Sequence, residues 1–162
     1  MAQSIFIPEA ASRADIYEAL LPQIASIIEH ESNRTANLAN VAAVLKEAFG
    51  FFWVGFYMRD ETDLVLGPFQ GPLACTRIAF SKGVCGHAYS IQKSVLVPDV
   101  DQFPGHIACS SASKSEVVVP IFSPSGEIVG VLDVDSDRLD DFSEVDVIGL
   151  EKIMRVLSTI FN

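Results

Sequence analysis

Basic side chains are scarce in this sequence: 11 Lys and Arg stand against 21 Asp and Glu, for a net charge of −10. Nucleic acids and anionic membranes are held by basic surfaces, so neither is an expected partner. Long apolar runs are missing as well, and no stretch approaches the ~18 residues of a membrane-spanning helix. The first residues, MAQSIFIPEA, carry no basic segment ahead of an apolar one. No secretion signal is therefore expected, and a cytoplasmic location is. Cysteine is limited to Cys75, Cys85 and Cys109, with no Cys-x-x-Cys pair and no His at finger-like spacing from two of them. That pattern fits neither a disulfide framework nor a structural zinc site, and no metal is expected. Repeats and low-complexity tracts are absent too.

What remains is an ordinary globular composition, 49% hydrophobic and 20% charged over 162 residues. One domain spanning residues 1–162 is expected, with 1–11 as an N-terminal extension. RADIYEALLPQIASIIEH (13–30) spaces Ile16, Leu20, Ile24, Ile27 and Ile28 as one helical face behind a Ser12 cap. Pro22 predicts a kink there, or two shorter helices. A second helix is predicted over 34–49, closed by Gly50. Short apolar or aromatic segments follow at 51–58, 63–69, 74–80 and 94–100 and read as strands, with a short helix over 83–92. SEVVVPIF (115–122), the turn SPSG and EIVGVLDVDS (127–136) make a hairpin. A last helix follows Ser143, with Val147, Leu150, Ile153, Met154, Leu157 and Phe161 on one side. Neighbouring strands between terminal helices predict an α+β fold with a central antiparallel sheet.

The hairpin carries a geometric argument about chemistry. Side chains alternate along a strand, so Asp133 and Asp135 share a face. If Phe122 faces Glu127 across the turn, Glu116 falls opposite Asp133, with Asp135 one diagonal away. Like charges facing each other across strands are unfavourable and call for a cation, a metal or a protonated carboxyl. The sequence has no calcium-loop spacing, and a primary ammonium group satisfies several acceptors at once. In FFWVGFYM, Phe52, Val54 and Phe56 alternate with Trp53, Gly55 and Tyr57. One set is core; the other can line a small pocket. His87 and His106 are candidate bases, and His30 ends an apolar helix. Cys85 suits buried packing, whereas Cys109, in a loop of serines, reads better as an accessible thiolate.

The strings LVLGPFQGPLAC (64–75), GVCGHA (83–88), GHIACSSASKSE (105–116) and GVLDVDS (130–136) resemble those of free methionine-(R)-sulfoxide reductases, which are GAF domains. The resemblance runs from about residue 12 to residue 161. It implies a single GAF domain that reduces the R-sulfoxide of the free amino acid. By the same resemblance Cys109 is the nucleophile, passing through a sulfenic acid to a disulfide. Cys75 is the implied resolving cysteine, with Cys85 as the alternative. Glu116, Asp133 and Asp135 would hold the substrate ammonium, Glu116 or Asp135 would protonate the departing oxygen, and Trp53 and Tyr57 would contact the methyl-sulfur end. No bound cofactor is implied. Thioredoxin, fed by NADPH through thioredoxin reductase, is the implied reductant, and a homodimer is compatible with two terminal amphipathic helices. The competing readings are a GAF sensor of an amino acid or nucleotide and a thiol-based redox sensor. The loop around Cys109 is expected to act as a mobile lid.

Overall fold

The computed structural model describes residues 4–107 and 109–162. Two helices come first, α1 (Arg13–Glu29) and α2 (Arg34–Phe49), then strands β1 (Trp53–Arg59), β2 (Asp63–Gln70) and β3 (Arg77–Ala79). Helix α3 (Gly83–Ile91), strand β4 (Val95–Val97), the hairpin β5 (Ser115–Phe122) and β6 (Ile128–Ser136), and helix α4 (Glu144–Leu157) complete the order. All pairings are antiparallel, in a six-stranded sheet ordered β3-β2-β1-β6-β5-β4.

The helix ends follow their local chemistry. Ser12 and Asn33 accept backbone N–H bonds at the starts of α1 and α2, and Gly50 closes α2 at φ 66°, where an L side chain is disfavoured. Ser143 and Asp146 form a reciprocal cap on α4. The α1 pattern predicted a kink or a break at Pro22, but the helix is continuous through it. Pro22 is exposed, so water can satisfy the carbonyl left without an N–H partner. Two strands are shorter than their apolar runs. Pairing of β4 stops before Pro98, which has no N–H to give, and β3 begins only at Arg77.

Sheet alternation separates two cores. Val54, Phe56, Val117, Val119, Ile121, Leu132 and Val134 pack against residues of α1, α2 and α4. Trp53, Tyr57, Val118 and Val131 face the other way, with Val84, Cys85 and Ala88 of α3. Register within the hairpin differs from the expected one. Glu116 pairs with Asp135, and Asp133 pairs with Val118, two residues away from the expected partners. Ser123 N–H donates to Glu127 O at 2.8 Å, so the loop holds three residues, with Gly126 at φ 86°. A bulge then places Val129 as an extra residue between the pairs Phe122–Ile128 and Ile121–Gly130. Each irregularity shifts the pairing by one residue. Because the sum is two, every side chain keeps its expected face.

Candidate active site

The floor of the site is the α3-facing surface of β5, β6 and β1. Glu116 stands opposite Asp135, Asp135 opposite Trp53, and Asp133 opposite Gly55, so three carboxylates and an aromatic wall meet on one face. Gly55 is required there: a Cβ would lie 2.8 Å from Trp53 Cη2 and still nearer to Phe69. The Trp53 ring stacks between Phe69 and Tyr57, with centroids 5.2 and 6.0 Å away, while its Nε1–H donates to Pro72 O at 3.1 Å. Tyr57 O–H donates to the Cys75 carbonyl at 2.7 Å, which pins the segment carrying Cys75 to β1.

Glu116, Asp133 and Asp135 are 5, 6 and 9% exposed, too buried for three negative charges to coexist without compensation. Burial, and secondarily the Asp135 charge, pushes the Glu116 carboxyl up to about 8. Burial and the neighbouring carboxylates push Asp133 and Asp135 well up as well. Tyr57 and Cys85 rise for the same two reasons, so both are protonated near neutrality. Asp133 Oδ1 has no hydrogen-bond partner among the described residues. The arrangement is a buried, proton-loaded acceptor surface.

The roof is the loop that follows the short 3-10 turn Val100–Gln102. Its ends meet where Val100 N–H donates to Lys114 O at 2.9 Å. A disulfide joins Cys109 to Cys75, 34 residues apart with Cα atoms 5.5 Å from each other. Both half-cystines are half-buried, and Cys109 lines the same pocket as Trp53, Tyr57, Glu116, Asp133 and Asp135. In this state the pocket encloses about 50 Å³.

A buried acidic floor under a disulfide formed from two of three cysteines is specific enough to compare with known proteins. The GAF domain family matches residues 33–162. The free methionine-R-sulfoxide reductase of Saccharomyces cerevisiae is 39% identical over 155 residues, 91% of this chain and 86% of that protein. GAF domain-containing protein A of Dictyostelium discoideum is 56% identical over 158 residues, 97% of this chain and 99% of that protein. The crystal structure of the free methionine-R-sulfoxide reductase of Neisseria meningitidis, in complex with its substrate, superposes with a TM-score of 0.94. It is 52% identical and covers 98% of this chain and 95% of that one. This chain belongs to the free methionine-(R)-sulfoxide reductase family of GAF domains.

Within this reductase-family fold, the eight residues to which the resemblance assigns roles gather at one place. Cys75 and Cys109 form the roof, Trp53 and Tyr57 a wall, Glu116, Asp133 and Asp135 the floor, and Cys85 projects from α3. Cys85 is a free buried thiol, so Cys75 is the partner of Cys109 in this structure. Of the histidines, only His106 reaches the pocket. Its Nε2 lies 3.7 Å from Glu116 Oε1, and burial lowers its pKa, which makes this a neutral neighbour rather than an ion pair. His87 is exposed with its ring edge toward Phe103, and His30 follows α1 as its C-cap. Sequence reasoning missed the apolar rim, Leu73 and Ile107, which are 90 and 38% exposed. Each lies two residues before a half-cystine, and an apolar residue in a polar loop is the signal that was there to be read. Phe69 and the Pro72 carbonyl, which set the Trp53 ring, leave no such signal.

No helix among the described residues is long and apolar enough to cross a membrane.

Proposed function

We propose that this chain reduces free methionine (R)-sulfoxide to methionine, with Cys109 as nucleophile and Cys75 as resolving cysteine. The observation that carries the reading is the Cys75–Cys109 disulfide above a floor of three buried carboxyls. With the pair reduced, the Cys109 thiolate attacks the sulfoxide sulfur while a carboxyl protonates the oxygen. Glu116 suits the proton-donor role, because a carboxyl held up to about 8 is protonated at neutral pH and sulfoxide oxygen leaves poorly unless protonated. The hydroxyl then passes from the substrate sulfur to the Cys109 sulfur as the sulfur–sulfur bond formed in the attack breaks, its electron pair staying on the substrate sulfur. Methionine departs and Cys109 is left as a sulfenic acid. Cys75 then displaces that oxygen as water, giving the disulfide. Two thiols and one sulfoxide thus become one disulfide, one thioether and one water.

The rest of the pocket supplies recognition of a free amino acid. Asp133 and Asp135 accept from its ammonium, and the Trp53–Tyr57 wall meets the methyl-sulfur end. A pocket of about 50 Å³ is far below the ~300 Å³ at the small end of ligand sites. The disulfide state is thus one from which substrate is excluded, and reduction lets the Cys109 loop lift. Thioredoxin, drawing on NADPH through thioredoxin reductase, is the reductant we assign, with the cytoplasm as the compartment. NADPH oxidation coupled through thioredoxin tests the reading with the free R- and S-sulfoxides in parallel. Turnover with the R form alone is expected; equal rates with both, or none with R, would overturn it.

A further inference from the structure

The pocket floor has a second chemical character that an ammonium site does not use. Cys85 Sγ, one oxygen of Glu116 and one oxygen of Asp133 lie within 4.8 Å of one another, all on buried side chains. Asp133 is 6% exposed, yet its Oδ1 has no hydrogen-bond partner among the described residues. An unpartnered carboxyl oxygen at that depth is a free acceptor that a positive ligand satisfies on displacing the proton. Sulfur at the third corner is a poor acceptor for an ammonium group and a good donor to a borderline metal ion.

We propose that this triad also binds one zinc ion, through Cys85, Glu116 and Asp133, and that zinc and the amino-acid substrate exclude each other. Zinc bonds of about 2.3 Å to sulfur and 2.0–2.2 Å to oxygen bring tetrahedral donors to about 3.5 Å apart. A group already within 4.8 Å needs only a small contraction to reach that spacing. Three protein donors leave the fourth position facing the pocket, the open arrangement of non-structural zinc sites. The thiolate discriminates against magnesium and calcium, which take oxygen. The protons held by Cys85, Glu116 and Asp133 leave to solvent as the zinc bonds form, and no electron is transferred. Spacing along the chain hides the site, because its donors come from α3, β5 and β6. Only the exclusion of substrate rests on the functional reading above; metal binding does not.

The disulfide form is the protein to test, since Cys85 is then the free thiol. Without reductant, titration with zinc should show one equivalent bound per chain. Cobalt in its place should give a thiolate-to-metal charge-transfer absorption. Cys85→Ser and Asp133→Asn should each weaken binding about tenfold or more, with near-ultraviolet dichroism unchanged. Absence of stoichiometric uptake, or uptake equal in both folded variants, would overturn the site. For exclusion, the Cys75→Ser, Cys109→Ser double variant keeps Cys85 and cannot turn over. Free methionine (R)-sulfoxide should displace its cobalt absorption, and persistence of that absorption at saturating sulfoxide would overturn the exclusion. A chain that takes up cobalt through Cys85 but never turns over the sulfoxide loses the functional reading and keeps the metal site.

Discussion

At the residue scale the three cysteines differ by environment rather than by type. Cys85 is 3% exposed, and burial followed by the neighbouring carboxylates pushes its thiol up, which makes it a poor nucleophile. Cys75 and Cys109 are half-buried and linked, and Cys109 lines the pocket. Cys109→Ser should therefore abolish methionine release from reduced protein, down to the first turnover. Cys75→Ser should still release about one methionine per chain, since the first step does not need it, and then stall. Quenched single-turnover assays with the free R-sulfoxide distinguish the two variants. Normal release by Cys109→Ser would mean the nucleophile lies elsewhere. Three cysteine positions alone did not decide these roles: a spacing of 34 residues says nothing about which thiols meet. The family resemblance supplied the Cys75–Cys109 pairing, and the loop's serine-rich composition supplied only the accessibility of Cys109.

At the element scale, the described part of the loop (101–107 and 109–113) reaches α3 and β5 through side chains, Phe103 against His87 and His106 near Glu116. Its backbone bonds are local, His106 N–H to Phe103 O at 3.2 Å and Ser113 N–H to Ser110 O at 3.5 Å. The disulfide is the covalent tie between this loop and the segment before β3. Reducing it should speed amide exchange in 101–107 and 109–113 while β5 and β6 stay protected, as read by hydrogen exchange of both redox forms. Equal protection of loop and sheet in the reduced protein would remove the lid from the mechanism. The hairpin shows how much of this was legible. Alternation in EIVGVLDVDS placed Asp133 and Asp135 on the site face because a strand has a fixed period of two. It did not place Glu116 opposite Asp135, because a three-residue turn and the Val129 bulge leave no mark on that alternation. Helix caps were more readable, since Ser12, Gly50 and Ser143 act through their own backbone neighbours. The aromatic wall was half-readable: the strand pattern offered Trp53 and Tyr57, but Phe69 reaches Trp53 only through the pairing of β1 with β2.

For the whole molecule, the buried floor links the site to folding. Glu116 is held up to about 8 in the folded chain, against an ordinary value of 4.5 that the unfolded chain restores. Between those two pH values the native state binds a proton that the unfolded state has released. Stability must then fall as pH rises through this window. The contribution is complete below about 4.5 and gone above about 8. Asp133 and Asp135, raised by the same burial, act in the same direction. With each pKa unit worth ~1.4 kcal/mol, the effect is on the order of a few kcal/mol. A net charge of −10 also penalises compactness at high pH, so the slope alone does not identify its source. Glu116→Gln separates the two, because a neutral amide keeps the shape and removes the titration. Urea unfolding of the disulfide form should find the variant close to the parent near pH 5 and more stable than it near pH 8.5. A parent that gains stability toward pH 8.5, or a variant with the parent's slope, would show that the buried Glu116 carboxyl does not carry this proton.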